Sequence, residues 1–152
     1  MYAPTRIPGL LLMAGASLPQ TPKQKGAFIV SGAVFRFPFK GGNAYLGSKS
    51  MIRQDSDLAA VTAGAEMEFQ PGWSILCEYN AIYVGKNTFN LAGQSKRVNT
   101  YSAALRYRFG SPEAGGFALL GITNALGSTT GFSLSPGLNN SNAIFLGVSI
   151  TR

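Results

Sequence analysis

Thr100-Tyr101-Ser102-Ala103-Ala104-Leu105-Arg106-Tyr107-Arg108-Phe109 alternates without a break. Tyr101, Ala103, Leu105, Tyr107 and Phe109 fall on one parity, and Thr100, Ser102, Ala104, Arg106 and Arg108 on the other. Successive side chains of a strand point to opposite faces, so this segment predicts a strand with one apolar and one polar face. A helix would wind Arg106 and Arg108 onto the same surface as the aromatic residues.

The same period of two recurs on both sides of this stretch. In residues 58–69, Ala59, Val61, Ala63, Ala65, Met67 and Phe69 alternate with Thr62, Gly64, Glu66 and Glu68. From Trp73, the residues Ile75, Cys77, Tyr79, Ala81 and Tyr83 oppose Ser74, Glu78 and Asn80. Ile144, Leu146, Val148 and Ile150 alternate near the end of the chain. Residues 7–18, 26–37, 42–52 and 116–126 are less regular candidates, and with them the expected number of strands is about eight. The whole chain, residues 1–152, is expected to form a single domain.

The connections sharpen this picture. Three are short and flanked by aromatics: Phe37-Pro38-Phe39-Lys40-Gly41-Gly42 up to Tyr45, Phe69-Gln70-Pro71-Gly72-Trp73, and Phe109-Gly110-Ser111-Pro112-Glu113 up to Phe117. Proline and glycine there are turn chemistry. The others, near residues 19–25, 53–57, 85–97 and 127–142, are polar and mostly longer. Alternation of short and long connections is the pattern of an up-and-down transmembrane β-barrel with tight turns on one side and loops on the other. Strands of about 9–11 residues suit a tilted crossing. Phe37, Phe39, Tyr45, Phe69, Trp73, Tyr107, Phe109 and Phe117 are then expected to form an aromatic girdle at the membrane interface.

Composition narrows the functional classes. Charged residues make up 12% of the 152, with 19 glycines and no histidine. Without histidine, Ser-His-Asp, Cys-His and His-zinc chemistry are absent. Cys77 is the single cysteine, so no internal disulfide can form. No cationic neighbour or base marks it as a nucleophile, and it reads as a small buried or lipid-facing residue. Neither a cofactor, a metal nor an enzymatic activity is expected. The net charge of +7 is scattered, with no basic helix or nucleic-acid motif. No apolar run reaches the length of a transmembrane helix. Arg6, the run from Gly9 and Ala14-Gly15-Ala16 have the order of a weak signal peptide, but Pro4, Pro8 and the near-absence of a charged n-region stand against it, and residues 7–18 are read as a strand.

With this architecture the chain resembles small bacterial outer-membrane β-barrel proteins. Gly64-Ala65-Glu66-Met67-Glu68-Phe69, Leu76-Cys77-Glu78-Tyr79-Asn80 and Gly121-Ile122-Thr123-Asn124-Ala125-Leu126-Gly127 are also similar to segments of YjbH-like outer-membrane proteins linked to exopolysaccharide. The first resemblance implies the bacterial cell outer membrane as location and lipid as partner. The second implies a segment of a larger barrel and a link to polysaccharide export. The ending Ile150-Thr151-Arg152 departs from the terminal aromatic residue usual in such barrels.

Arg36, Glu66, Glu68, Glu78, Arg106 and Arg108 share the polar parity and are expected inside. An eight-stranded barrel leaves little room for water, which favours a charge-balanced internal network over a polar path for solutes. Paired carboxylates at Glu66, Glu68 and Glu78 are also what a glycosidase uses, but nothing marks a sugar cleft. Lys23, Lys25, Arg53, Lys86, Lys96 and Arg97 lie in or beside the long loops, with Asp55 and Asp57 opposing them. They form either a solvated rim or a basic patch for anionic lipopolysaccharide or polysaccharide. Residues 127–142, rich in Ser, Thr, Gly and Asn, read as a loop.

The expected function is therefore an outer-membrane barrel with a structural, anchoring or polysaccharide or solute-passage role. The alternative is a soluble lipocalin-like barrel holding an apolar ligand, which requires the polar face outside. A lipid-acting enzyme of the outer membrane lacks the usual hydrolase residues. Alternation alone leaves the identity of the inner face, and the oligomeric state, open.

Overall fold

The computed structural model describes residues 9–17, 28–53, 57–89, 94–110, 115–125 and 141–150. Its strands, in chain order, are β1 (Leu10–Ser17), β2 (Phe28–Phe39), β3 (Gly42–Arg53), β4 (Leu58–Gln70), β5 (Trp73–Val84), β6 (Thr88–Phe89), β7 (Ser95–Lys96), β8 (Thr100–Gly110), β9 (Gly115–Thr123) and β10 (Ala143–Ile150). Eight of them make one antiparallel up-and-down sheet in the order β1-β2-β3-β4-β5-β8-β9-β10. Each of the eight expected segments overlaps one strand of this sheet. The hydrogen-bonded order ends at β1 and β10.

Two local differences have clear causes. Pro38 was expected in a turn but lies within β2, paired with Asn43. The Arg36 amide donates to the Gly9 carbonyl on the β1 side (2.7 Å). Pro38, two residues on, turns its nitrogen to the same side, past Gly9 and Leu10, so its missing N–H costs no ladder bond among the described residues. The strand expected over 116–126 stops at Thr123, where the Asn124 side chain replaces the ladder: its Oδ1 accepts from the Tyr101 amide and its Nδ2 donates to the Asn99 carbonyl. The connection after β5 also holds the small β6–β7 hairpin, which the sequence reading missed.

The tight turns follow from local chemistry. Gly41 and Gly72 both have φ near +80° (86° and 80°), which other residues rarely adopt. In Gln70-Pro71-Gly72-Trp73 the Pro-Gly order is the one a type II turn requires. Each glycine carbonyl then accepts from a charged residue's amide on the next strand but one, Gly41 from Glu68 and Gly72 from Arg108, both at 2.7 Å. The turns thereby pin successive hairpins together.

Register assigns the two faces. Phe39, Gly42, Met67, Ile75, Leu105, Leu120 and Leu146 form one continuous cross-strand row from β2 to β10. The face containing this row carries no charged residue over the described strand residues, and its large apolar side chains are exposed, among them Ile29 at 58% and Leu146 at 76%. Arg36, Lys49, Glu66, Glu68, Glu78, Arg106 and Arg108 all belong to the opposite rows. That face is the enclosed one. It holds the buried cluster Met51, Leu58, Ala60 and Ile82 and the fully buried Asn80 and Thr100. The sheet is thus curled about its charged face and turns its apolar face outward.

Tyr45 and Phe117 therefore leave the expected girdle. Tyr45 pairs with Arg36 and Gly64, and Phe117 with Arg108, so both sit on the charged face. Nearness to a turn does not fix parity. Phe37, Phe39, Trp73, Tyr107 and Phe109 lie on the outward rows near the short turns, and Phe69, at the register shift between Glu68 and Gln70, is exposed.

Candidate interior site

Small residues make room inside the curl. Gly47, Thr62, Gly64, Ser102, Ala104 and Gly121 occupy the inner rows of four strands. Thr62, Gly64, Ser102 and Ala104 line a cavity of about 510 Å³ to which all eight strands of the sheet contribute. Gly47 is needed for a second reason: a Cβ there would stand 2.1 Å from the Ala33 carbonyl oxygen on β2.

Two ion pairs cross this interior. Lys49 on β3 reaches over β4 to Glu78 on β5, with Nζ 2.7 Å from Oε2. The other oxygen, Oε1, accepts from Asn80 Nδ2 at 2.9 Å, so the Glu78 carboxylate is held at both ends. Arg106 on β8 reaches over β5 to Glu66 on β4 and also donates to Ser74 Oγ at 3.3 Å. Each pair skips one strand. Lys49 is 6% exposed, and an ammonium so buried requires its partner.

Lys49 was not among the expected interior charges. Its segment is blurred by Ser48 and Ser50 on the outward face and Met51 on the inward one. On the outward face Ser31 and Ser50 satisfy each other across β2 and β3 (2.7 Å). Lys49 shares the parity of Tyr45, whose expected place in the girdle hid it.

The other expected interior charges sit apart. Arg36, Glu68 and Arg108 are exposed and lie toward the short turns. Glu68 accepts from the Gly72 amide at 3.3 Å. Among the described residues only the pairs Lys49–Glu78 and Arg106–Glu66 are within salt-bridge distance. Glu66 and Glu78 each face a cation, and this arrangement matches ion-pair bracing better than an acid and a base across a sugar-binding cleft. Cys77 lies exposed on the outward face between Ala65 and Ala103.

Toward the opposite end of the strands lie amides and hydroxyls that the alternation does not single out. Asn80 Nδ2 also meets Thr100 Oγ1 (3.2 Å), and Asn99 links the Ile82 amide to the Tyr79 hydroxyl. Asn87 forms reciprocal bonds with the backbone of Val98, both at 2.8 Å, at the base of the β6–β7 hairpin. Among the loop cations, Lys86, Lys96 and Arg97 are exposed around this hairpin, and Arg97 Nε donates to the Gly85 carbonyl. Lys23, Lys25 and the loop 127–140 lie outside the described residues, as does the Arg53 side chain.

Comparison with protein-family models, curated proteins and solved structures returns no match for this chain.

Proposed function

We propose that this chain is an outer-membrane β-barrel protein, closed between β1 and β10, whose role is structural or anchoring. The observation that carries this reading is the charge-free outward face. Soluble monomers rarely expose contiguous apolar patches above a few hundred Å², whereas this face runs across all eight strands. Lipid is the solvent in which such a face is stable. The soluble lipocalin-like alternative needs the reverse polarity, with residues such as Arg106 outside.

Strand length supports the same reading. Twelve residues, as in β2, β3 and β5, extend about 40 Å at about 3.3 Å each. A tilt of about 45° brings this to about 28 Å, near the apolar band of about 25 Å found in such barrels. The outward aromatics near the short turns suit one membrane interface.

A structural role is favoured over passage of polysaccharide or other solutes because two ion pairs brace the interior. The exposed Lys86, Lys96 and Arg97 form a basic edge suited to anionic lipopolysaccharide or polysaccharide. The test is refolding into phospholipid vesicles followed by flotation and single-channel recording. The proposal expects co-flotation without steady conductance. Protein that stays in the aqueous fraction would refute the membrane reading, and a stable open channel would refute the structural one.

A further inference from the structure

The cavity walls differ in chemistry. Its lining from β3, β4, β5 and β8 includes Tyr45, Lys49, Thr62, Glu66, Glu78 and Ser102. The lining from the four strands at the two ends of the sheet is Leu11 on β1, Val34 on β2, Leu119 on β9 and Phe145 on β10. The polar groups are thus gathered on the central strands and an apolar surface on the outer ones. Its volume of about 510 Å³ falls within the range of about 300–1,000 Å³ common for small-molecule sites.

We propose that this cavity binds an uncharged amphiphile with a single apolar chain, the chain lying against Leu11, Val34, Leu119 and Phe145 and the head group against Tyr45, Thr62 and Ser102. Charge complementarity selects the class. The polar wall carries Lys49, Glu66, Glu78 and three hydroxyl groups, with Lys49 already facing Glu78 and Glu66 facing Arg106. A carboxylate or phosphate head group would meet the Glu66 and Glu78 carboxylates on this wall and compete with Glu78 for Lys49, the one cation among the lining residues. A hydroxyl or ester head group exchanges hydrogen bonds without that cost. A wholly apolar ligand would leave the hydroxyl groups without water or partners. A monoacylglycerol has the required chemistry. The proposal goes beyond the membrane reading and relies on it only for the source of the ligand.

The probe is a monoacylglycerol with a photoactivatable diazirine at the end of its chain, added to the full chain in phosphatidylcholine vesicles. Crosslinked residues are mapped by mass spectrometry. The expected result is labelling at Leu11, Leu119 or Phe145 that unlabelled monoacylglycerol displaces and the corresponding fatty acid displaces poorly. Ala104→Phe, which fills the cavity, should reduce inner labelling about tenfold or more while outward residues such as Leu105 and Ile122 stay labelled. Leu119→Phe serves the same purpose if the first variant does not insert. Labelling confined to outward residues in the unaltered chain would overturn the proposal while leaving the membrane reading intact. Inner labelling on protein that does not float with vesicles would keep the cavity site and refute the membrane reading.

Discussion

Lys49 shows how a single side chain depends on the whole wall. Its ammonium is buried among inner-face groups and faces Glu78 from two strands away. Lys49→Ala leaves that carboxylate with only the Asn80 amide, and the loss is expected to be about 1–3 kcal/mol. Urea unfolding in vesicles measures it. The double variant K49A/E78A is expected to lose less than the sum of the two single variants, because the pair is removed together. The outward face responds to the opposite change. Leu146→Arg is expected to cost about 2–4 kcal/mol if the residue lies at mid-bilayer, read by the same unfolding midpoint. At this scale the sequence was only partly legible. Parity placed Glu66, Glu78 and Arg106 on one face, but their partners are set by which strands lie two apart. Asn124 and Asn99 could not be singled out, because an amide that replaces a ladder bond looks like any loop asparagine until its neighbours are known.

Strands and turns were the most legible level. The period of two located each strand of the large sheet, and Pro71-Gly72 marked a tight turn whose glycine has φ +80°. Gly72→Ala places a Cβ-bearing residue in the left-handed region, a cost of about 1–2 kcal/mol. It should weaken the Arg108-to-Gly72 bond that joins the β4–β5 hairpin to β8. Gly47→Ala acts differently, since its Cβ would press on the Ala33 carbonyl oxygen and part β3 from β2. Amide exchange should quicken along the β2–β3 ladder while the β8–β9 ladder keeps its protection. What misled the sequence reading was aromatic residues near turns. Tyr45 and Phe117 share the composition of the girdle but not its parity, and only register with Arg36 and Arg108 reveals it. Pro38 misled in another way, because a proline is tolerated in a strand wherever its nitrogen meets no neighbour.

At the scale of the molecule, the sequence established two chemically distinct faces but not their orientation. Enclosure supplies it: a cavity bordered by all eight strands and the burial of Lys49, Asn80 and Thr100 place the charged face inside. The central claim, that the charge-free face meets lipid, is tested most directly on the stretch that decides the fold. Nitroxide labels are placed singly at residues 101–108 in a Cys77→Ser background, and the chain is refolded into vesicles. Collision rates with oxygen and with a water-soluble nickel complex are then compared. The account predicts a period of two, with high oxygen and low nickel accessibility at 101, 103, 105 and 107 and weak collision with both at 102, 104 and 106. Strong nickel accessibility at 101, 103, 105 and 107 would place that face in water and contradict the account.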